Sequence, residues 1–334
     1  MSVSFEINLP DLFSLCPFPI SLHPQYKKVS LESNAWIGTY DVLRSDTYSF
    51  FTRIDTPLLG SYVYPYATYD KLRIVGDLIN MTFAMDAISD EQDGVAARST
   101  MDLHVKVLLS GRSDDSAMTQ MTLSFRERAM EQFGPNSLRR FLTNYKNYCE
   151  AVGTEAAYRD RGMILSLEEY RIFRRENGGV KPFFDLIEPC SGIDLPDMVF
   201  EDPTFKRIYN AALDMILWPN DIYSYQKEQT EPGCASSNYI TVVMKEKGLT
   251  IQQAFDYAGA EFQSLVSQFI KDKLALPSFG AAVDADLKYY IAGLESWVSG
   301  HLQFSFETQR YFGEDREEVK KTLIVKLLKQ DDAF

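Results

Sequence analysis

The chain is 334 residues long with 45% hydrophobic and 24% charged residues, an ordinary globular composition that fits one large domain or two smaller ones. Its formal net charge is −13 and no run of Lys or Arg dominates, so no nucleic acid is expected as a partner, and an anionic substrate would need a few placed cations or bound metal ions. No apolar stretch reaches the ~18 residues of a membrane span, and Met1 to Pro10 lacks a basic start and carries Glu6, so neither a span nor a signal peptide is expected.

In chain order, the first segment holds Pro10, Pro17, Pro19 and Pro24 between short apolar clusters. It reads as an extended strap, residues 1–28, ahead of a single domain, residues 29–334. Helical periodicity then dominates. It predicts helices near 30–44, 69–88, 94–110, 116–133, 137–155, 165–176, 181–188, 204–229, 236–247, 250–273, 282–300, 302–312 and 316–328. The punctuation agrees. Pro135-Asn136-Ser137 ends one helix and caps the next, Asp202-Pro203-Thr204 opens the long one, and Gly248 with Thr250 separates another pair. Segments 177–182 and 229–236 read as short loops. No alternating strand set and no internal repeat is found. The expected fold is therefore all-α, a single bundle whose helices enclose a pocket. Cys16, Cys149, Cys190 and Cys234 form no C-x-x-C pair, and no His stands at zinc spacing. They read as reduced thiols of a cytoplasmic protein.

The helix predicted at 204–229 carries Asn220, Ser224 and Glu228. Two four-residue steps turn by only ~80° and rise ~12 Å, so the three oxygens share one face. An amide, a hydroxyl and a carboxylate are hard ligands suited to Mg²⁺. The pattern alone arises in roughly one chain in twenty by composition, so it needs company. Asp86 and Asp90 provide it at the end of an apolar helix (Ile74, Val75, Leu78, Ile79, Phe83). Two carboxylates at i,i+4 repel each other, and a helix C-terminus disfavours both, unless cations sit there. An acidic surface loop is the competing reading. Arg174 and Arg175 precede Gly178-Gly179, which is either a functional helix break or a plain C-cap. Near the end, Arg310 offers a forked donor for phosphate, and Tyr311 adds a hydroxyl.

Together these segments resemble the microbial class I terpene synthases of fungi and bacteria, most closely those that make sesquiterpenes, over residues 60–315. Asn220, Ser224 and Glu228 resemble the family's metal triad, with Lys227 as a diphosphate contact. Asp86 and Asp90 resemble its aspartate-rich motif, Arg174 its diphosphate sensor, Asn177 and Gly178 the linker and effector positions, and Arg310-Tyr311 its C-terminal pair. Ala87 departs from the pattern, since an acid or Asn usually follows the first aspartate, and Phe304 stands where Trp is frequent. The resemblance implies three Mg²⁺ ions, with Mn²⁺ able to substitute. It implies an enzyme, a carbon–oxygen lyase that ionises farnesyl or geranyl diphosphate and releases diphosphate. Products would be cyclic hydrocarbons, or acyclic alcohols such as nerolidol or linalool after water capture.

The cation so formed needs walls that stabilise it without reacting, and aromatic faces do this. With 22 Phe and 19 Tyr in the chain, Phe83, one turn before Asp86, is the first expected wall residue. Tyr62, Tyr64, Phe183 and Phe304 are further candidates for which core packing is the competing reading. Two other functions fit part of the pattern: a chain-elongating prenyltransferase, which usually carries two Asp-rich motifs, and a non-catalytic helical isoprenoid-binding protein. The expected partner is a small isoprenoid diphosphate, and the protein is expected to be a monomer or homodimer.

Overall fold

The computed structural model describes residues 4–230 and 234–328. Strand β1 (Ser4–Asn8) and the short helix α1 (Leu12–Leu15) precede α2 (Tyr26–Gly38), α3 (Ser45–Ile54) and α4 (Pro57–Val63). Then come α5 (Tyr69–Asp90), α6 (Gly94–Ser110), α7 (Ala117–Ala129) and α8 (Pro135–Asp160). Helix α9 (Leu167–Asn177) leads into the short α10 (Val180–Phe184), α11 (Ile187–Ser191) and α12 (Asp197–Glu201). The rest is α13 (Pro203–Glu228), α14 (Tyr239–Lys247), α15 (Ile251–Ala275), α16 (Ala281–Glu307), α17 (Arg316–Thr322) and β2 (Ile324–Leu328). The fold is all-α, as expected, apart from one antiparallel ribbon that pairs Ser4 with Leu328 and Asn8 with Ile324.

Of the predicted caps, Asp202 and Thr250 set helix starts, whereas Pro135, Asn136 and Ser137 lie inside α8, whose N-cap is Gly134 with no side-chain bond. Asp202 accepts from Thr204 and Phe205 N–H, with Pro203 at the first helical position of α13, where its missing N–H costs nothing. Ser166 with Glu169 and Thr250 with Gln253 form capping boxes for α9 and α15. Gly248 ends α14 in the left-handed region. Helix α13 packs along α15 and α16, α16 crosses α4, and α6 lies along α8. Trp218, Tyr223 and Trp297 are buried in the interior between them.

Several boundaries differ from the sequence reading. The helix expected at 30–44 starts at Tyr26 and stops at Gly38, and α3 and α4 follow where none was expected. The two helices expected at 282–300 and 302–312 are one, α16, which ends at Glu307. Gly300 is not a break. A Cβ there would stand 2.9 Å from the Tyr62 carbonyl carbon and 3.0 Å from its oxygen, so glycine lets α16 pass close to α4. The stretch 316–328 splits into α17 and β2, because Leu323 takes a left-handed conformation (φ 56°) and reverses the chain. Five-residue strands give too little alternation to register as such. In the loop expected at 229–236, residues 231–233 lie outside the described residues, and a 3₁₀ turn spans Cys234–Ser237.

Candidate active site

One cavity opens among α5, α8, α9, α13 and α16. Phe83, Asp86, Arg174, Asn177, Gly178, Asn220, Ser224, Lys227, Glu228, Arg310 and Tyr311 all line it. Asp90 is the one remaining residue of the predicted site. It is the last residue of α5, and its side chain lies outside the described residues.

Helix α13 supplies one lip. It continues through Pro219, which has no N–H to give the carbonyl one turn back. Asn220, Ser224 and Glu228 follow on the face that meets the cavity. Asn220 Oδ1 accepts from Arg174 at 2.8 Å, and its Nδ2 donates to the Tyr311 hydroxyl at 2.7 Å. The Tyr311 proton is thus left to donate elsewhere, and burial raises that phenol's pKa and keeps it protonated. Glu228 Oε2 accepts from Asn238 at 2.8 Å. Burial, reinforced by the Asp221 charge, pushes the Glu228 carboxyl up to about 7. Ser224 Oγ is buried without a hydrogen-bond partner, a costly state for a hydroxyl. An orphaned hydroxyl between an amide carbonyl with a spare lone pair and a raised carboxyl is the donor set a hard divalent cation would satisfy. Asp86 faces the same cavity from α5.

Arg174 is fixed by an aspartate the sequence reading passed over. Its Nε and terminal nitrogen donate to Asp221 Oδ1 at 3.0 and 2.8 Å, and it also reaches Asn177 Oδ1 at 3.3 Å. Burial works against the guanidinium charge, but Asp221, Tyr170 and Glu155 together outweigh it and raise the Arg174 pKa. Asp221 in turn accepts from the Tyr170 hydroxyl at 2.6 Å and Tyr239 N–H at 3.1 Å. The neighbouring Arg175 points away and binds Asp214 through two bonds of 2.8 and 2.6 Å, which ties α9 to α13. The helix break after Arg174 is real: Gly178 closes α9, and Gly179 sits at φ 69° before α10.

The walls differ from expectation in part. Phe183 and Phe304 line the cavity, whereas Tyr62 and Tyr64 do not. The Tyr62 hydroxyl donates to Glu307 at 2.7 Å, and that of Tyr64 donates to the Phe183 carbonyl. Phe83 lines the cavity, but the Arg310 guanidinium lies over its ring, 4.6 Å from the centroid. Its face is therefore already engaged by a cation of the protein. Trp297, Tyr148, Glu155, Arg159 and His301 also line the cavity and were not singled out from the sequence. Trp297, His301 and Phe304 are spaced i, i+4, i+7 on α16, a periodicity that was readable. Trp297 brings an indole to this wall two turns before Phe304.

Known proteins match the chain in sequence and in fold. Residues 77–268, more than half of the chain, match the family model for terpene synthase family 2, C-terminal metal binding. A Coprinopsis cinerea protein named linoleate 10R-lipoxygenase is 40% identical, with 96% of this chain and 93% of that protein covered. A Cyclocybe aegerita sesquiterpene synthase is 36% identical over 96% of this chain and 75% of its own length. In structure, the linalool/nerolidol synthase of Streptomyces clavuligerus, solved with 2-fluorogeranyl diphosphate, superposes with a TM-score of 0.79 at 20% identity, covering 89% of this chain and 99% of that one. The oxygenase name stands alone among these and is that protein's own. With a family model over more than half of the chain and a relative 36% identical over nearly all of it, the chain belongs to the terpene synthase family, lyases that ionise a prenyl diphosphate to give terpenes.

Proposed function

We propose that the substrate is farnesyl diphosphate, with geranyl diphosphate as the alternative, and that Mg²⁺ ions, three in number, are held by Asp86 and Asp90 on one lip and by Asn220, Ser224 and Glu228 on the other. Mn²⁺ would substitute. The observation that carries the reading is the meeting of both lips with Arg174, Lys227, Arg310 and Tyr311 around one cavity whose wall includes Phe183, Trp297 and Phe304. The sesquiterpene synthase relative favours the C15 substrate. The ligand of the Streptomyces structure keeps the C10 one in play. In this reading residues 29–334 are one catalytic domain behind a strap at 1–28, acting in the cytoplasm as a monomer or homodimer.

When bound, the ions would supply Lewis-acid neutralisation of the departing diphosphate. The chain's own residues do the rest. Arg174, Lys227, Arg310 and Tyr311 donate to diphosphate oxygens as charge develops on them. Asp221 keeps the Arg174 fork charged and aimed. Phe183, Trp297 and Phe304 offer ring faces to the allylic cation and are not themselves bases. Cyclic hydrocarbons, or acyclic alcohols where water is admitted, are the expected products.

Purified protein given the C15 or C10 diphosphate with Mg²⁺ should release inorganic diphosphate and yield volatile terpenes by gas chromatography, and chelator should abolish both. Asp86→Ala and Asn220→Ala should each lower turnover on the order of 100-fold or more with native helical circular dichroism. Turnover retained in either variant would remove the metal-site reading. Longer prenyl diphosphates formed with added isopentenyl diphosphate would make the protein a prenyltransferase, and no release from any chain length would leave it a binding protein.

A further inference from the structure

His301 is the one imidazole in the cavity lining. It is 4% exposed, and its Nδ1 is buried with no hydrogen-bond partner. Histidines kept only for packing are usually tied down by hydrogen bonds, as His104 is here, between Thr122 Oγ1 at 2.6 Å and Tyr145 Oη at 2.8 Å. His301 also stands at a particular place along α16. Trp297 and Phe304, each one turn away on the same face, belong to the hydrocarbon wall. Arg310 and Arg174, which act on it electrostatically, belong to the diphosphate end. His301 is thus at the junction between where a carbocation is held and where its leaving group remains.

We propose that His301 is the base that ends the reaction, taking a proton from the last carbocation and so fixing which alkene leaves. This inference rests on the prenyl diphosphate reading above. The C–H bond next to the cationic carbon breaks, its electron pair becomes the new C=C bond, and the proton goes to the ring nitrogen that carries the lone pair. The imidazolium then passes the proton to the inorganic diphosphate that the same turnover released. Cation and diphosphate thereby leave as neutral alkene and protonated diphosphate, with no other reactant.

The ring is poised for this. Burial first, then the Arg310 and Arg174 charges, push the His301 pKa down to about 3. It is therefore neutral near pH 7, with a free lone pair. A weak base suffices, because a carbocation is a far stronger acid than imidazolium. The low pKa also makes the imidazolium short-lived beside two guanidiniums, which favours onward transfer.

The test separates this step from ionisation. His301→Phe keeps a flat aromatic ring, slightly larger, and removes the nitrogens. Diphosphate release should stay within about 10-fold of the parent, while the main alkene's share of product falls at least 5-fold in favour of isomers that exit earlier or by another proton. An unchanged product profile overturns the proposal, and so does loss of diphosphate release together with the helical circular dichroism, which would make His301 structural. A change of pocket shape is controlled with His301→Ala supplemented with imidazole or with pyrrole, a ring of the same shape without a basic lone pair. Imidazole alone should restore the parent alkene share. Equal restoration by both, or by neither, overturns the assignment. Failure of the parent protein to release diphosphate would instead count against the function itself.

Discussion

At Gly178 a single methyl group should be felt. A Cβ there would stand 2.2 Å from Leu217 Cδ2 and 2.9 Å from the Arg174 carbonyl oxygen. Leu217 lines the cavity and its methyl can turn aside, but the Arg174 carbonyl is backbone, and the chain after Arg174 must give. Gly178→Ala should lower kcat more than 10-fold while the melting midpoint falls by only a few degrees, because the displaced group is the guanidinium that Asp221 and Asn220 hold in place. Kinetics matching the parent's would show that the loop absorbs the methyl. The residue types at this site were legible in the sequence because their chemistry is unusual: hard oxygen ligands at helical spacing, and arginines before paired glycines. What was not legible is orientation. Arg174 and Arg175 are adjacent and chemically alike, yet one enters the cavity and the other locks onto Asp214. Nothing in the composition placed Arg310 over the Phe83 ring, or showed that Asp221 would gather Arg174, Tyr170 and the Tyr239 N–H around its carboxylate.

Helix α16 shows how an element can be misread while its function stays readable. Glycine in a helical pattern weakens the prediction of helix, since it costs ~1 kcal/mol against alanine in a helix interior. At Gly300 that cost is outweighed by packing. The absent side chain lets α16 approach the backbone of α4 at Tyr62 and the Val63 side chain, and the approach keeps Trp297, His301 and Phe304 on one uninterrupted wall. Gly300→Ala should therefore destabilise the fold by about 1–3 kcal/mol, despite alanine's better helix propensity, and should leave the helical content of the folded protein unchanged. A rise in the melting midpoint would mean that propensity, not interhelical spacing, governs this position. The terminal ribbon makes the converse point. β1 and β2 lie more than 300 residues apart in the 334-residue chain, and each is too short to show a period. Their pairing is a tertiary fact with almost no local trace.

At the scale of the whole molecule, two histidines kept neutral in the interior contribute to acid sensitivity. His104 in α6 bridges Thr122 of α7 and Tyr145 of α8. Thr122 gives its own proton to the Met118 carbonyl at 2.9 Å, so its oxygen accepts from His104 Nδ1–H, and Nε2 accepts from the Tyr145 hydroxyl. A second ring proton has no ready acceptor there. Burial pushes the His104 pKa down from 6.5 to about 4. Below pH 6.5 the unfolded chain takes up a proton that the folded chain refuses. The stabilisation is thus fully present above pH 6.5 and is lost as pH falls towards 4, in all about 3 kcal/mol. His301 acts in the same direction, with its pKa pushed to about 3. Denaturant midpoints measured from pH 7 to pH 4.5 should fall more steeply for the parent than for His104→Gln, whose amide can keep one hydrogen bond and cannot titrate. Parallel curves would mean that His104 protonates in place, with Tyr145 turning its hydroxyl to accept. A steeper parent curve would locate the acid sensitivity of the bundle at the junction of α6, α7 and α8, away from the diphosphate site, so that loss of fold and loss of chemistry at low pH could be followed separately.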